Sequence, residues 1–388
     1  MNGYQAFADF SQSSDSNERG HAAHLAARAY LDHRGSIEEH AALYAALISF
    51  LDDPSVKVRA ALAYGLLHSA EAPRPIILSL LRDSPVISRA VLQCSPLLVD
   101  ADLMPIVREG DASALLAIAQ RSSLSARVAA GLVARDDHEL SLRVLRRPDV
   151  PFAADILHAL TLSHGDHAQL RGALLARRDL PPPARLVLVR RAADSLRQCR
   201  MVKGAIAPDR LERLMRDGTD MAVSTIGEAA AAGPEFVEQL VGADQLNTRL
   251  LLHAIVTGHV MFFSACLASL GQVSREKVFT LLESGSRAAL NALFARCGLN
   301  PAIAALFVRM VLHARNADLS DDLAARHFVV TALTEELLAE FDGDIPNELE
   351  EAFAYLSEQN VALARQAARG VMRAFVQSRS GILQLPAA

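Results

Sequence analysis

Tryptophan is missing from this 388-residue chain, and all aromatic residues together make up only 5% of it. Strands draw on aromatic and β-branched side chains, so this scarcity argues against a sheet-based fold. Lysine is nearly missing as well: Lys57, Lys203 and Lys277 are the only three, and almost all positive charge is arginine. A net charge of −5 makes no global demand for nucleic acid or an anionic membrane as partner. The four cysteines (Cys94, Cys199, Cys266, Cys297) stand far apart without any C-x-x-C. That spacing argues against a disulfide framework and fits small core residues in a reducing cytoplasm. The N-terminus lacks a basic stretch followed by an apolar core, so it does not read as a signal peptide, and polar Ser11 to Gly20 reads as a mobile lead-in. Phosphate-binding glycine loops, H-E-x-x-H and G-x-S-x-G are all missing. The expectation is therefore a chain with no catalytic residues, no cofactor and no resident metal.

What is present is helix-forming material. Hydrophobic residues make up 51%, mostly Ala and Leu, which favour helices. The length exceeds what one compact core usually supports, so two cores or one elongated solenoid are the expectations. From Leu250 to Ser274 there is no charged residue, a length that could span a membrane. Thr257-Gly258-His259 interrupts it, and the flanks carry no one-sided basic cluster, so two buried helices are the better reading. Ser36-Ile-Glu-Glu39 has the form of a capping box. Asp52-Asp53-Pro54 reads as the end of one helix and, with an Asp cap and Pro54 in the first turn, the start of the next.

Self-similarity runs along the chain. The segments IAQRSSLS, VLRRPDVP, LLARRDLP and LFARCGLN each hold an Arg, then two residues, then an apolar residue. The arginines are Arg121, Arg147, Arg177 and Arg296, and Cys94 occupies the same place in a degenerate copy, QCSPLL. The first three lie 26 and 30 residues apart. Such a period fits compact helical hairpins stacked in a row, with Leu124, Val150, Leu180 and Leu299 stapling each following helix.

The stretch DDPSVKVRAALAYGLL resembles the HEAT repeat, with Asp53 preceding Val58-Arg59, and DSPVISRAVL is a weaker copy with Asp83 and Arg89 at the same offset. That resemblance implies an all-α, HEAT-like or armadillo-like superhelix of stacked hairpins, an α-solenoid. It gives Asp53, Arg59, Asp83 and Arg89 structural bonds between neighbouring repeats. Most of the chain also resembles an uncharacterised bacterial family of helical-repeat proteins, domain-of-unknown-function family 2336. The likeness rests on SPLLVDADL, on AIAQRSSLSARVAAGLV, and on LLLHAIVTGHVMFFSACLASLG followed by LFARCGLNPAIAALF. It implies no known activity.

A change of character near Gln198 to Pro208 suggests a mobile or partly helical lead-in over 1–35, short repeats over 36–203 and a second helical region over 204–388 that ends in a capping helix pair. One continuous solenoid is equally compatible. Histidines offer weak metal candidates: His21 and His24 with His33 and His40, and His164-Gly165-Asp166-His167 with His158. The bland readings, surface histidines and a helix stop followed by a cap, are preferred. Asp342-Gly343-Asp344 lacks the spaced ligands of a calcium loop and reads as a hairpin turn.

Charge is unevenly spread. Twelve basic residues face five acids between Arg143 and Lys203, and twelve acids face one Arg, Arg326, between Asp318 and Glu358. Arg146-Arg147 and Arg177-Arg178 occupy equivalent repeat positions and, with Arg190 and Arg191, form a candidate ridge for an anionic partner. The competing reading is that arginines in a last helical turn complement the helix dipole. The leading functional expectation is a non-catalytic scaffold or adaptor that binds another protein, with a regulatory role as one form of it. The alternative is a nucleic-acid-binding protein or DNA glycosylase-type enzyme using the Arg ridge. The HEAT-like likeness allows that alternative, but the missing Trp and scarce Tyr weaken it.

Overall fold

The structure, a computed structural model, describes residues 11–229, 233–316 and 323–380, with the side chains of Val371 and residues 374–380 outside the description. Among the described residues there are 22 α-helices and no strand. No helix among them is long and apolar enough to cross a membrane. Contacts divide the chain into one unit ending at Pro181 and another starting at Pro182, so Lys203 falls inside the second. The division lies in Pro181-Pro182-Pro183, where Pro182 and Pro183 occupy the first turn of the next helix, a place that needs no amide hydrogens.

The first unit contains α1 (Ser16–Asp32), α2 (Ile37–Leu51), α3 (Val56–Leu66), α4 (Arg74–Leu80), α5 (Pro85–Cys94), α6 (Asp100–Glu109), α7 (Ala112–Ala119), α8 (Ala126–Val133), α9 (His138–Leu145), α10 (Ala154–His164) and α11 (Ala168–Leu175). The dominant contacts run from each helix to the next and to the next but one. The N-terminal lead-in is helical from Ser16: α1 is capped by Asp15 and buries Ala22, Ala23, Ala26 and Ala27. It lies so close to α3 that a Cβ on Gly65 would sit 2.6 Å from that of Ala27. Ser36 caps α2 through the Glu39 amide at 3.3 Å. Asp53-Pro54 does not open α3, which begins at Val56 behind an uncapped Ser55. The Asp53 carboxylate is held elsewhere, by Arg19 at 2.8 Å and by the Ser55 amide at 2.8 Å, which keeps Pro54 in the turn.

Short helices leave their last carbonyls without amide partners. In this chain arginines from the following repeat fill that need. Buried Arg121 donates to the carbonyl oxygens of Leu92 and Ser95, in and just after the last turn of α5. Arg147 reaches Ala119 and Arg121 at 3.1 and 2.6 Å and Ser122 at 3.2 Å, and pairs with Asp149. Arg177 reaches Leu145, Arg147 and Val150 at 3.0, 3.1 and 2.7 Å and pairs with Asp179 at 2.6 Å. All five N–H donors of Arg147 and of Arg177 have acceptors. Leu124, Val150 and Leu180 are buried below these clamps. Nearer the N-terminus the link is an ion pair, Arg19–Asp53 and then Arg59–Asp83 at 2.7 Å.

The second unit contains α12 (Pro182–Gln198), α13 (Arg200–Ala205), α14 (Pro208–Glu228), α15 (Pro234–Gly242), α16 (Thr248–Val256), α17 (Val260–Gly271), α18 (Arg275–Ser284), α19 (Arg287–Arg296), α20 (Pro301–Ala314), α21 (Leu323–Glu340) and α22 (Asn347–Ser380). The uncharged run forms two helices, α16 and α17, parted at Thr257-Gly258-His259, where Gly258 has φ +79°. Two clamps recur: Arg296 on Gly271 at 2.6 Å, and Arg315 on Leu281, Leu282 and Gly285 at 2.8 Å each. The packing pattern changes, because α22 returns to touch α16 and α20 as well as α21. Phe263, Phe294 and Phe307 centre its core, with ring centroids 5.6 to 5.8 Å apart. Along α22, Leu349, Leu356 and Leu363 are buried, and Phe353, Ala364 and Ala367 are half-buried. Val371, expected in the same stripe, lies outside the described side chains, as do the acids Asp318, Asp321 and Asp322 outside the described residues.

Arg177 is 7% exposed, and its neighbour Arg178 is exposed. Arg177→Ala strands buried carbonyls and is expected to destabilise the first unit by about 3 kcal/mol. Arg177→Lys should recover little of this, because one ammonium cannot reproduce the fork. Arg178→Ala should change stability by less than about 0.5 kcal/mol. Urea unfolding of the three variants separates these outcomes.

Candidate functional site

The six candidate ridge arginines do not present themselves equally. Arg146 and Arg178 are exposed, whereas Arg147 and Arg177 are turned inward with every donor engaged. In each Arg-Arg pair the second of 146–147 and the first of 177–178 is the clamp, so the expected row of four surface guanidiniums is not formed. Arg190 and Arg191 belong to the second unit, both half-buried on α12. Arg190 donates to the Gln245 side-chain oxygen at 2.5 Å, and burial lowers its pKa. With Arg197, Arg216, Asp194 and Asp220 it lines an open pocket of about 290 Å³. Of the HEAT-like set, Arg59 bonds to Asp83, and its Nη1 also donates to the Asp53 carbonyl at 2.7 Å. Hydrogen bonds from Arg19 and Arg59 hold the Asp53 and Asp83 carboxyls, respectively, below the usual range. Arg89 is exposed and reaches Asp111 only through its charge.

The histidines gather differently from their order in the sequence. His138, at the start of α9, lies 5.3 Å from His164 and 4.9 Å from His167 between ring centroids. His164 also lies 3.5 Å from Asp136, a residue at φ +56°. Neither Asp136 nor His138 was singled out from the sequence, and His158 stays exposed. Among the described residues no group of three His, Cys, Asp or Glu is set to hold a metal ion. Asp342 and Gly343 both have positive φ, as a tight hairpin turn requires.

Two places have chemistry of their own. One is an open groove of about 400 Å³ in the first unit, between His21 and His24 of α1 and Lys57 and Tyr64 of α3. Gly20 and Ala61 also line it and contribute almost no side chain. Tyr64 is 69% exposed, with its ring 5.7 Å from that of His24. Lys57 donates to the Asn17 side-chain oxygen.

The other is a buried polar centre where α14, α16 and α22 meet. Arg249 binds Asp220 at 3.1 Å and Asp217, and its guanidinium lies 4.8 Å from the Tyr355 ring centroid. The Tyr355 hydroxyl is 2.7 Å from His253 Nδ1, and His253 Nε2 is buried without a partner. Beside them Thr248, Glu348 and Glu351 help line a cavity of about 100 Å³. Burial raises Asp220 even against Arg249, while the two carboxylates hold Arg249 up against its own burial. Burial also pushes the Tyr355 hydroxyl up, and lowers His253 to about 4 with help from His259 and Arg249. The sequence signal was faint: His253 and Tyr355 sit at core-facing positions of apolar stripes, separated by 102 residues.

This centre has a pH signature. Unfolded, His253 titrates near 6.5, whereas folded it stays neutral down to about 4. Between those values the unfolded chain binds the extra proton, so stability is full above 6.5 and falls as the pH drops. The loss should reach about 2 kcal/mol by pH 5. Urea midpoints at pH 7 and pH 5 measure it, and in His253→Gln this part of the loss should vanish.

No curated protein and no solved structure matches the chain. A family model described as "Uncharacterised protein conserved in bacteria (DUF2336)" matches residues 87–342. That span includes every arginine clamp and all but the last helix of the second unit, and the chain belongs to this family.

Proposed function

We propose that the chain is a non-catalytic α-solenoid scaffold or adaptor of HEAT-like hairpins, acting in the cytoplasm, whose groove between α1 and α3 binds a segment of another protein. The observation that carries this reading is how the repeat-spaced arginines are used. Arg121, Arg147 and Arg177 bind carbonyls of the preceding repeat, which builds a stack, buries Arg121 and leaves Arg147 and Arg177 no donors for phosphate. Stacked hairpins repeat the same surface positions along one face, the usual basis of partner recognition in such proteins. At the N-terminal end that surface offers Tyr64 and His24 beside a shallow small-residue groove. Tyrosine is favoured at interfaces because it supplies large rigid area with a polar tip. Nucleic-acid binding is the weaker reading, because the exposed remainder of the ridge in the first unit is Arg146 and Arg178.

Tagged full-length protein, incubated with lysate of its own cells and analysed by quantitative mass spectrometry, provides the test. One partner should be captured in near-stoichiometric amount, at least ten-fold less by Tyr64→Ala/His24→Ala, and equally by Arg146→Glu/Arg178→Glu. Tight binding to a short DNA duplex, steeply weakened by salt and lost in the Arg146→Glu/Arg178→Glu variant, would instead establish the nucleic-acid reading.

A further inference from the structure

Helix α22 runs for 34 residues, and its charges are sorted by half. Glu348, Glu350, Glu351 and Glu358 come first with no basic residue among them. The row Arg365, Arg369 and Arg373 follows, with Arg379 beyond it, and no acid occurs after Glu358. The helix dipole accounts for the first-turn glutamates, but its influence fades within a turn of either end. Glu358, Arg365 and Arg369 stand far from both ends. Within one helix, opposite charges stabilise when placed three or four residues apart, and like charges so placed repel. Here the arginines repeat every four residues, and the nearest acid, Glu358, is seven residues before Arg365. All three arginines are exposed, and no carboxylate among the described residues pairs with them. Glu358 has only a long contact, 3.7 Å, to Arg213.

These charges share one side of the helix. At 3.6 residues per turn, Glu351, Glu358, Arg365, Arg369 and Arg373 fall within a sector of about 80°. Along its edge run exposed apolar residues, with Val361 at 52% and Met372 at 62%. The core-facing side is different: among the described side chains its last buried residue is Leu363. The outer face is thus an apolar seam with acid at one end and base at the other; Glu358 approaches Arg213 and Glu351 borders the small cavity beside Arg249, while Val361, Arg365, Arg369, Met372 and Arg373 are left exposed among the described residues.

We propose that this face docks against the same face of a second copy of the chain, antiparallel, about a twofold axis. An isologous pairing requires a patch complementary to itself under a half-turn. This patch meets the requirement in register. Setting Glu358 opposite Arg365 of the other copy brings Glu351 opposite Arg373 to within one residue, and the axis passes between Val361 and Ala362. Each exposed Val361 then lies against the other copy's Val361 and Ala362, and like-charge repulsion among the arginines is replaced by attraction. The contact is about 33 Å of helix on helix, which lies at the small end of specific interfaces, so a dimer with a Kd in the micromolar range is expected.

Sedimentation equilibrium of the full chain between about 1 and 100 μM tests the proposal. The wild type should dimerise and loosen as salt is raised. Glu351→Arg/Glu358→Arg and Arg365→Glu/Arg373→Glu should each self-associate at least ten-fold more weakly. An equimolar mixture of the two variants should restore dimers, because each then offers what the other lacks. Val361→Cys should form a disulfide-linked dimer on mild oxidation, in a register that peptide mapping can read. Unchanged circular dichroism of each variant separates loss of pairing from loss of folding. A wild type that stays monomeric at 100 μM and low salt overturns the idea, as does a dimer that keeps its affinity in both charge variants. Capture of an acidic protein or of anionic vesicles by a monomeric chain would assign the face to that partner instead.

Discussion

A helix of seven to eleven residues leaves nearly half of its carbonyls without an amide partner, and the first unit consists almost entirely of such helices. Its architecture follows from how those carbonyls are satisfied. The guanidinium of one repeat reaches 25 to 32 residues back to the end of the corresponding helix before it. A planar fork with five donors can hold two or three carbonyls and a carboxylate at once, which a lysine cannot. Asp149 and Asp179, each two residues after its arginine, fix the fork in place. Hairpin length, turn sequence and repeat spacing are coupled through this bond, so insertions within a hairpin would carry the arginine past its acceptors.

The second unit satisfies the same physical demand with fewer clamps and a different solution. Its helices are longer, so a smaller fraction of carbonyls lies at the ends, and its core holds stacked phenylalanines. What draws the chain back on itself is the contact of α22 with α16. Apolar burial alone would not fix its register, because Leu and Ala stripes tolerate sliding by a turn. The polar centre does: Tyr355 must meet His253, and Arg249 must meet Asp217 and Asp220. A slip of one residue would leave several buried polar groups unpaired.

Much of this was legible in the sequence, and the rest had physical reasons to stay hidden. Helical class followed from Ala and Leu, the break in the uncharged run from Gly258, and the period from Arg121, Arg147 and Arg177. The direction in which those arginines point was not legible. A repeated Arg-Arg pair reads equally as a surface ridge or as a clamp with an exposed neighbour, since sequence spacing does not tell which of two adjacent side chains faces the preceding carbonyl. Asp53 misled for a related reason: an Asp before Pro suggests a cap, but Arg19, 34 residues away, holds its carboxylate. The histidine cluster and the polar centre join residues from separate helices, and local patterning carries no trace of such meetings.

The polar centre and the charge-sorted outer face occupy the same helix, and this coupling has a consequence for how α22 behaves. The inner side is fixed as far as Leu363, by Tyr355 and the leucine stripe, while beyond it Ala364 and Ala367 are only half-buried and Arg365, Arg369, Met372 and Arg373 are exposed. A helix that extends past its support normally frays, because each added residue must offset its backbone entropy with little more than one hydrogen bond. Alanine and arginine, strong helix formers, dominate the extension and reduce that cost. They do not remove the mutual repulsion of Arg365, Arg369 and Arg373. A rigid inner half that sets direction, joined to an outer half of like charges, is the arrangement that the proposed pairing with a second copy would complete. The placement of His253 under the inner half means that protonation at low pH weakens the very anchor that aims the outer half.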